Sequence, residues 1–189
     1  MKKNLLISVL MTIATTILLG IVYPLVVTGL AQVLFPNKAN GQLIEANGKV
    51  IGSRIIGQAF TGAGYFHPRP SAVSYDPTNS NGSQLGPTNQ KLIDRVKGDV
   101  EKLQAENNGR PTPVDLVTTS ASGFDPHITP AGAEFQVARV AAARGAQVSD
   151  ILQLVREHTE GRTWGLLGEP RVNVLELNLA LDARFGTSK

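Results

Sequence analysis

One segment of the sequence contains the residue types used in acyl-transfer chemistry. It reads Ser120-Ala121-Ser122-Gly123-Phe124-Asp125-Pro126-His127. A nucleophilic serine, a histidine base and an orienting aspartate form the usual triad, but triad members normally come from separate elements. No Gly-x-Ser-x-Gly nucleophile elbow surrounds either serine. The same residues are typical of a turn before a capped helix, in which Asp125 bonds loop amides, and their preferences favour this turn. A hydrolase that uses Ser120 to His127 is the alternative function.

Other patterns that carry chemistry are missing from the sequence. It has no glycine-rich phosphate loop followed by Lys-Ser or Lys-Thr and no His-Glu-x-x-His. It contains 3 histidines, scattered at positions 67, 127 and 158, and no cysteine. The absence of cysteine excludes a thiolate metal site, a disulfide framework and a cysteine nucleophile. We therefore expect no metal site and no catalytic site in this chain.

The elements that position these residues divide the chain in two. Its 18 Lys and Arg and 15 Asp and Glu leave a run without charge between Lys3 and Lys38. About 20 helical residues span a bilayer, and a signal peptide has an apolar core of only about 7 to 15. We predict a retained transmembrane helix within residues 1–37, followed by a single soluble α+β domain at 38–189. A multi-spanning carrier is excluded because no second apolar run of this length exists.

The charges beside the helix predict its orientation in the lipid bilayer. Lys2 and Lys3 precede the run and only Lys38 follows closely, so the positive-inside rule places the N-terminus in the cytoplasm. A single-pass protein of the inner membrane with a periplasmic domain follows, given a bacterial source. The net charge of +3 includes both lysines. The nearly neutral remainder excludes a nucleic-acid partner.

Small residues recur every four positions within the predicted helix, at Ser8, Thr12, Thr16 and Gly20. Such a stripe allows a second helix to approach closely, and we interpret it as a docking face for a partner. The alternative is that the hydroxyls bond back to carbonyls one turn earlier and face lipid. Pro24 predicts a kink near the outer end.

The soluble part begins with a predicted β-hairpin and a long loop. Leu43–Ala46 and residues 49–51 read as strands joined by Asn47-Gly48, which suits a two-residue turn. Residues 57–89 are dense in Gly, Pro, Ser and Asn but also hold aromatic residues. Disordered linkers are poor in aromatics, so we expect an ordered loop. The aromatic residues of this loop include Tyr65, Phe66 and Tyr75.

Capping signals predict four helices in the remainder. The first helix ends near Gly109, the second at Gly145 and the last at Phe185, and a short strand is predicted at 115–118. The predicted caps are Thr88 or Asn89, Thr129 followed by Pro130, Ser149, and Asn173 with Glu176 three residues later. The first helix carries the apolar stripe Leu92, Ile93, Val96, Val100 and Leu103.

Several side chains in the loops are of types enriched at interfaces. For Tyr65 and Phe66 we favour a place in the core. For Arg69 we expect a bound partner or a buried carboxylate. Trp164 is the only tryptophan, and we predict that it belongs to the core.

Five strings in this order resemble the C subunit of the Kdp potassium-transporting ATPase and cover nearly the whole chain. They are GSRIIGQ at 52–58, YFHPRPSA at 65–72, LGPTN at 85–89, SASGFDPHI at 120–128 and VNVLELN at 172–178. The resemblance implies an accessory, non-catalytic subunit of a bacterial inner-membrane complex. A channel-like subunit then carries potassium, a P-type ATPase subunit hydrolyses ATP, and the small-residue stripe lies against the channel-like subunit.

The resemblance also implies a catalytic chaperone that raises the ATP affinity of the hydrolysing subunit. The stretch from Ser120 to Gln136 loosely resembles the signature motif of ABC transporters. Two interpretations follow. Either the soluble domain lies outside as a scaffold or gate and acts on ATP through the helix, or it contacts ATP through Ser122, Gly123 and Gln136.

Overall fold

The computed structural model describes residues 1–46 and 48–187. They divide into two compact units, Met1–Ile51 and Gly52–Lys189. The first unit contains a long apolar helix, and the second combines helices with a small sheet. This arrangement confirms the predicted α+β fold behind one N-terminal helix.

The first unit is dominated by one uninterrupted helix, Lys2–Leu34, of 33 residues. It consists of α1 (Lys2–Ile17), a π-helical turn (Leu18–Val22) and α2 (Tyr23–Leu34), and none of its residues is buried. Its length and apolar composition suffice to cross a membrane once. The π turn lies just before Pro24, where a proline removes a helix hydrogen bond, so the helix adjusts its winding where a kink is predicted.

The first unit ends with α3 (Pro36–Ala39), β1 (Leu43–Ala46) and most of β2 (Lys49–Ser53). The two strands pair in a two-stranded sheet, as predicted. Gly48 in the connection has a φ of +71°, a left-handed value that glycine adopts without strain. Asn47, the other predicted turn residue, lies outside the described residues.

The helices of the second unit are α4 (Gln90–Glu106), α5 (Pro130–Arg144), α6 (Val148–Glu157) and α7 (Val174–Phe185). Three predicted caps are confirmed, because the side chains of Asn89, Thr129 and Asn173 each accept a backbone N–H of the first turn. Gly145 ends α5 in the left-handed conformation, also as predicted. Local signals of this kind are therefore strong in this sequence.

The predicted cap at Ser149 is wrong, because Gln147 occupies the cap position of α6. The amide of Ala146 donates to Ala141 O at 3.0 Å, closing the end of α5. Gln147, the next residue, has the extended backbone conformation that precedes a helix, and it therefore occupies the cap position of α6. Ser149 lies inside the first turn, where its hydroxyl donates to the Asp150 carboxylate at 3.4 Å.

The predicted strand at 115–118 is also wrong, since a 3₁₀ turn forms at Val114–Leu116. Asp115 is buried and its carboxylate accepts from the backbone N–H of Thr129 at 2.7 Å and from its hydroxyl at 3.1 Å. A Cβ on Gly132 would lie 2.6 Å from this carboxylate. The turn thus brings Asp115 against the start of α5, which a strand with alternating faces would not do.

A three-stranded antiparallel sheet completes the second unit, in the order β3 (His127–Ile128), β5 (Arg171–Asn173), β4 (Thr159–Glu160). The helices α5, α6 and α7 enclose the core together with Phe66. The largest side chains that are fully buried include Phe66, Phe135, Ile151, Leu177 and Leu181. The predicted place of Phe66 in the core is confirmed, and Tyr65 is partly buried.

Trp164 does not belong to the core, and this prediction is wrong. Its side chain is 87% exposed. It lies in the connection between β4 and β5, where Thr163 and Leu167 close a tight turn by two backbone hydrogen bonds. A side chain inside so short a turn has no apolar surface to fold against.

The predicted loop at 57–89 is ordered, and buried side-chain amides hold it. Asn178 accepts from the Phe66 N–H at 2.8 Å and donates to its carbonyl at 3.0 Å. Gln136 pairs in the same way with His67, at 2.8 Å and 3.1 Å. Two adjacent loop residues thus pair with side chains as a strand pairs with its neighbour, which satisfies backbone groups that burial would otherwise leave unpaired.

Asn178→Ala should destabilise the second unit by about 2–4 kcal/mol, because it leaves a buried N–H and a buried C=O of Phe66 unpaired. The measurement is urea unfolding of the full-length chain in detergent, followed by circular dichroism. Gln153→Ala is the matched control, since its exposed amide donates to Glu157 on the surface. Equal midpoints for the two variants would contradict the role of Asn178.

Candidate functional site

The segment 120–126 is partly buried and is tied to the rest of the second unit through its backbone carbonyl groups. Four of them accept hydrogen bonds from residues distant in sequence. The donors and acceptors are Ser80 Oγ to Ser122 O at 3.0 Å, Ser71 Oγ to Gly123 O at 2.8 Å, Gly57 N to Phe124 O at 2.8 Å, and Val174 N to Pro126 O at 2.9 Å. The segment is therefore a rigid junction between the long loop and α7.

An ion pair fixes the side-chain end of this junction. Arg69 Nη1 donates to Asp125 Oδ2 at 2.8 Å, and both side chains are about three-quarters buried. The Tyr75 hydroxyl donates to Arg69 O at 2.7 Å. We predicted either a bound partner or a carboxylate for Arg69, and the structure shows the pairing with a carboxylate. Arg69 lies between Pro68 and Pro70, which restrict the backbone on both sides of it.

The same contacts set the protonation of the junction. Burial opposes ionisation of Asp125, but hydrogen bonds from His127 and Arg69 prevail and lower its pKa to about 2. Burial and the nearby Asp125 carboxylate raise the pKa of Tyr75 to about 12. At neutral pH the carboxylate is charged and the phenol is not, so neither group is suited to exchange protons with a substrate.

Ser120 and Ser122 both accept backbone amides of the turn that the sequence predicts here. Ser120 is buried and its Oγ accepts from Gly123 N at 2.9 Å, while Ser122 Oγ accepts from Phe124 N at 3.2 Å. Asp125 accepts the amide of His127 at 3.0 Å, which confirms its predicted bond to a loop amide. Among residues 1–46 and 48–187 no hydrogen bond joins either serine to His127. Both hydroxyls instead accept amides of their own turn.

Ser122, Gly123 and Gln136 were predicted as possible ATP contacts. Ser122 and Gly123 are adjacent in one turn, whereas Gln136 lines a separate cavity. Gly123 has a φ of +78°, and a Cβ on it would lie 2.5 Å from Val73 Cγ2, so the turn requires glycine. Ser122 lies next to it on a shallow depression. Gln136 lines a different cavity, and its amide already bonds His67, Gly132 and Arg139.

This second cavity was not found by sequence reasoning. It has a volume of about 260 Å³ and lies between the long loop, α4 and α5. Its polar lining includes His67, Lys102, Glu106 and Arg139. Burial and then the Arg139 charge lower the pKa of His67, so the imidazole is neutral at physiological pH. The residues that line this cavity are far apart in sequence, so their spacing does not predict it. The sequence feature that points to it is His67, which lies directly before Pro68.

The small-residue stripe lies in the first unit, where two of its hydroxyls bond back to helix carbonyls, as the alternative interpretation of the sequence expects. Ser8 Oγ donates to Leu5 O at 2.9 Å, and Thr12 Oγ1 donates to Ser8 O at 2.8 Å. A Cβ on Gly20 would lie 3.9 Å from Thr16 Cγ2, so these two residues share one face. The hydroxyl donors of Ser8 and Thr12 are satisfied within the helix, so these two small side chains would not hinder the approach of another helix.

Asp125→Asn should lower the stability of the second unit at pH 7 by about 1–3 kcal/mol, because Arg69 loses its charged acceptor. The pKa of Asp125 lies near 2, below its ordinary value of 3.8. The stabilisation is therefore present above about pH 4 and is lost as the pH falls towards 2. Urea unfolding of the full-length chain in detergent across this range should show the variant and the native chain converging. Glu134→Gln, which changes an exposed carboxylate on α5, should lie close to the native chain throughout, and a constant difference for Asp125→Asn would contradict the assignment.

Comparisons with known proteins agree with the resemblance noted in the sequence. The family described as KdpC, K⁺-transporting ATPase, c chain, matches residues 5–183. The potassium-transporting ATPase KdpC subunit of Koribacter versatilis is 70% identical over 184 residues, covering 96% of this chain and 95% of the relative. That of Rhodopseudomonas palustris is 55% identical over 197 residues, covering 97% and 99%. Since the match runs through most of the membrane-length helix and nearly all of the second unit, the chain belongs to the KdpC family of K⁺-transporting ATPase subunits.

Proposed function

We propose that this chain is the non-catalytic accessory subunit of its potassium-transporting ATPase. It stabilises the complex through the helix Lys2–Leu34 and raises the affinity of the ATP-hydrolysing subunit for ATP. The observation that carries the proposal is the helix itself, which has no buried residue and one face of small side chains. The relatives are named as subunits of potassium-transporting ATPases.

The stripe is the part of the helix best suited to a partner in the bilayer. Apolar side chains gain nothing from leaving lipid, so membrane helices associate where small residues allow their backbones to approach. Ser8, Thr12, Thr16 and Gly20 provide such a face, and the channel-like subunit is the partner that we assign to it. Potassium is then carried by the complex and is not bound by this chain.

The chemistry of the second unit supports an indirect effect on ATP. Gln136 has its amide engaged by the long loop, and it lines a different cavity from Ser122. Lys2 and Lys3 favour a cytoplasmic N-terminus and an outer, ATP-free location for the domain. An effect on nucleotide affinity then passes through the helix as a coupling between two sites. Such couplings are typically about 1–3 kcal/mol.

Replacing Thr16 and Gly20 together by leucine should loosen the chain from the complex, because two branched side chains would fill the close-packed face. Co-purification with a tagged ATPase subunit in detergent measures this. Ala14→Leu is the matched control, since residue 14 is on the opposite side of the helix from residue 16. Equal retention of the double variant and the control would contradict the assigned face.

The same preparations should also show the coupling to ATP. Where the double variant dissociates, the KM for ATP of the remaining ATPase should rise by about fivefold or more. An unchanged KM after complete dissociation would remove the ATP effect from the proposal while leaving the helix contact intact.

Single cysteines, one at the start of the helix and one in the second unit, should report the orientation of the chain in the membrane, because the chain has no cysteine of its own. Asn81→Cys lies on an exposed part of the long loop, and Asn4→Cys lies at the start of the helix. A membrane-impermeant maleimide should label residue 81 in intact cells and residue 4 only after the cells are opened. The reverse pattern would place the domain in the cytoplasm and support direct contact of Ser122, Gly123 and Gln136 with ATP.

A further inference from the structure

Residues 1–46 and 48–187 contain both members of three Asn-Gly pairs, which are Asn40-Gly41, Asn81-Gly82 and Asn108-Gly109. Asn47 of a fourth pair lies outside the described residues. An asparagine that precedes glycine is prone to attack by the backbone, because glycine has no Cβ to shield its amide nitrogen. How readily each pair reacts depends on how the fold holds its atoms.

The reaction is deamidation, and it needs no reagent other than water. The backbone nitrogen of the glycine forms a bond to Cγ of the asparagine, and the side-chain nitrogen leaves as ammonia with the proton of the glycine amide. Water then opens the resulting succinimide ring at one of its two carbonyl carbons. Opening at the side-chain carbonyl gives aspartate, whereas opening at the main-chain carbonyl gives isoaspartate, whose main chain is longer by a methylene.

Two of the pairs are held in a way that opposes this reaction. Asn40 Nδ2 donates to Pro36 O at 2.8 Å and to Gln32 Oε1 at 3.2 Å, and Asn40 Oδ1 accepts from Gln32 Nε2 at 3.2 Å. This side chain cannot turn towards its own backbone without breaking these bonds. At the end of α4, Gly109 N donates to Gln104 O at 2.9 Å, so the attacking nitrogen is occupied. Both pairs must open locally before they react.

The pair Asn81-Gly82 has neither form of protection. Asn81 is exposed, and within residues 1–46 and 48–187 no hydrogen bond is made by its Nδ2 or by Gly82 N. Its Oδ1 accepts from Gln84 Nε2 at 2.8 Å. A donor on a carbonyl oxygen stabilises the negative charge that develops there when a nucleophile attacks the carbon. The attacking nitrogen is therefore free, and the group that it attacks is polarised.

The backbone of this pair lies directly against the segment 120–126. A Cβ on Gly82 would lie 3.1 Å from Ala121 O, and a Cβ on Gly123 would lie 3.0 Å from Asn81 O. Just before the pair, Ser80 Oγ donates to Ser122 O at 3.0 Å. Backbones that approach this closely leave no space for an additional methylene in one of them.

We propose that Asn81 is a site of spontaneous deamidation and that its isoaspartate product loosens the segment 120–126. The product accumulates with the age of the protein, so the modification distinguishes old copies of the chain from new ones. The aspartate product keeps the length of the main chain and leaves the segment in place. Since the reaction involves only this chain and water, it is independent of the helix stripe and of ATP, and this proposal and the proposed function fail separately.

The rates at the three pairs test the site. The folded full-length chain is incubated in detergent at mildly alkaline pH, and aspartate and isoaspartate are measured by mass spectrometry of its peptides. Tryptic peptides incubated in the same way give the unprotected rate of each pair. Relative to its peptide, residue 81 should react at least about tenfold faster than residues 40 and 108, which must first open. Equal relative rates at the three residues, or a slower rate at residue 81, would overturn the proposal.

The effect of the product is tested by amide hydrogen exchange in the aged full-length chain. The amides of Gly123 and Phe124, which donate to Ser120 Oγ and Ser122 Oγ, should exchange severalfold faster once residue 81 is isoaspartate. Asn81→Gln, aged in the same way, is the matched control, because glutamine closes the corresponding ring much more slowly. Exchange in the isoaspartate chain that equals exchange in this control would overturn the proposed loosening.

Discussion

The structure of the second unit depends on how the backbone of residues 63–67 is satisfied. This stretch enters the core without a neighbouring strand, and its groups bond side chains of α5 and α7 instead. Asn178 and Gln136 pair with Phe66 and His67. Arg139 donates to Ala63 O and Tyr65 O, and Arg144 to Gly64 O, at 2.6–3.0 Å. These bonds hold Phe66 in the core. The residues that follow it, Arg69 and Ser71, then contact the segment 120–126.

This constraint explains why the polar residues that suggest chemistry in the sequence serve structure here. Gln136 uses its amide on the loop, Ser120 uses its hydroxyl on the Gly123 amide, and Asp125 balances Arg69. A buried polar group left unpaired would cost about 1–3 kcal/mol, so each of these contacts is worth retaining without any catalytic role.

The parts of the fold that depend on neighbouring residues were predictable from the sequence. The caps at Asn89, Thr129 and Asn173 are bonds across two or three residues, and the left-handed end at Gly145 is equally local. Strands of two or three residues, such as His127–Ile128 and Thr159–Glu160, are too short to show periodicity and exist only through pairing with Arg171–Asn173. Trp164 was misjudged because residue type favours burial while the turn that exposes it is set by the bonds between Thr163 and Leu167.

The rigidity of the second unit also restricts how a signal to an ATP site is carried. Several hydrogen bonds join its long loop to the segment 120–126, so internal rearrangement would break several of them at once. In the first unit, the π turn Leu18–Val22 holds Gly20 and lies two residues before Pro24, and its hydrogen bonding already departs from the α pattern. A helix has more than one winding available at such a turn, and coupling requires an element with two states. For the ATP effect that we propose, this turn is therefore the element of the first unit best suited to transmit it.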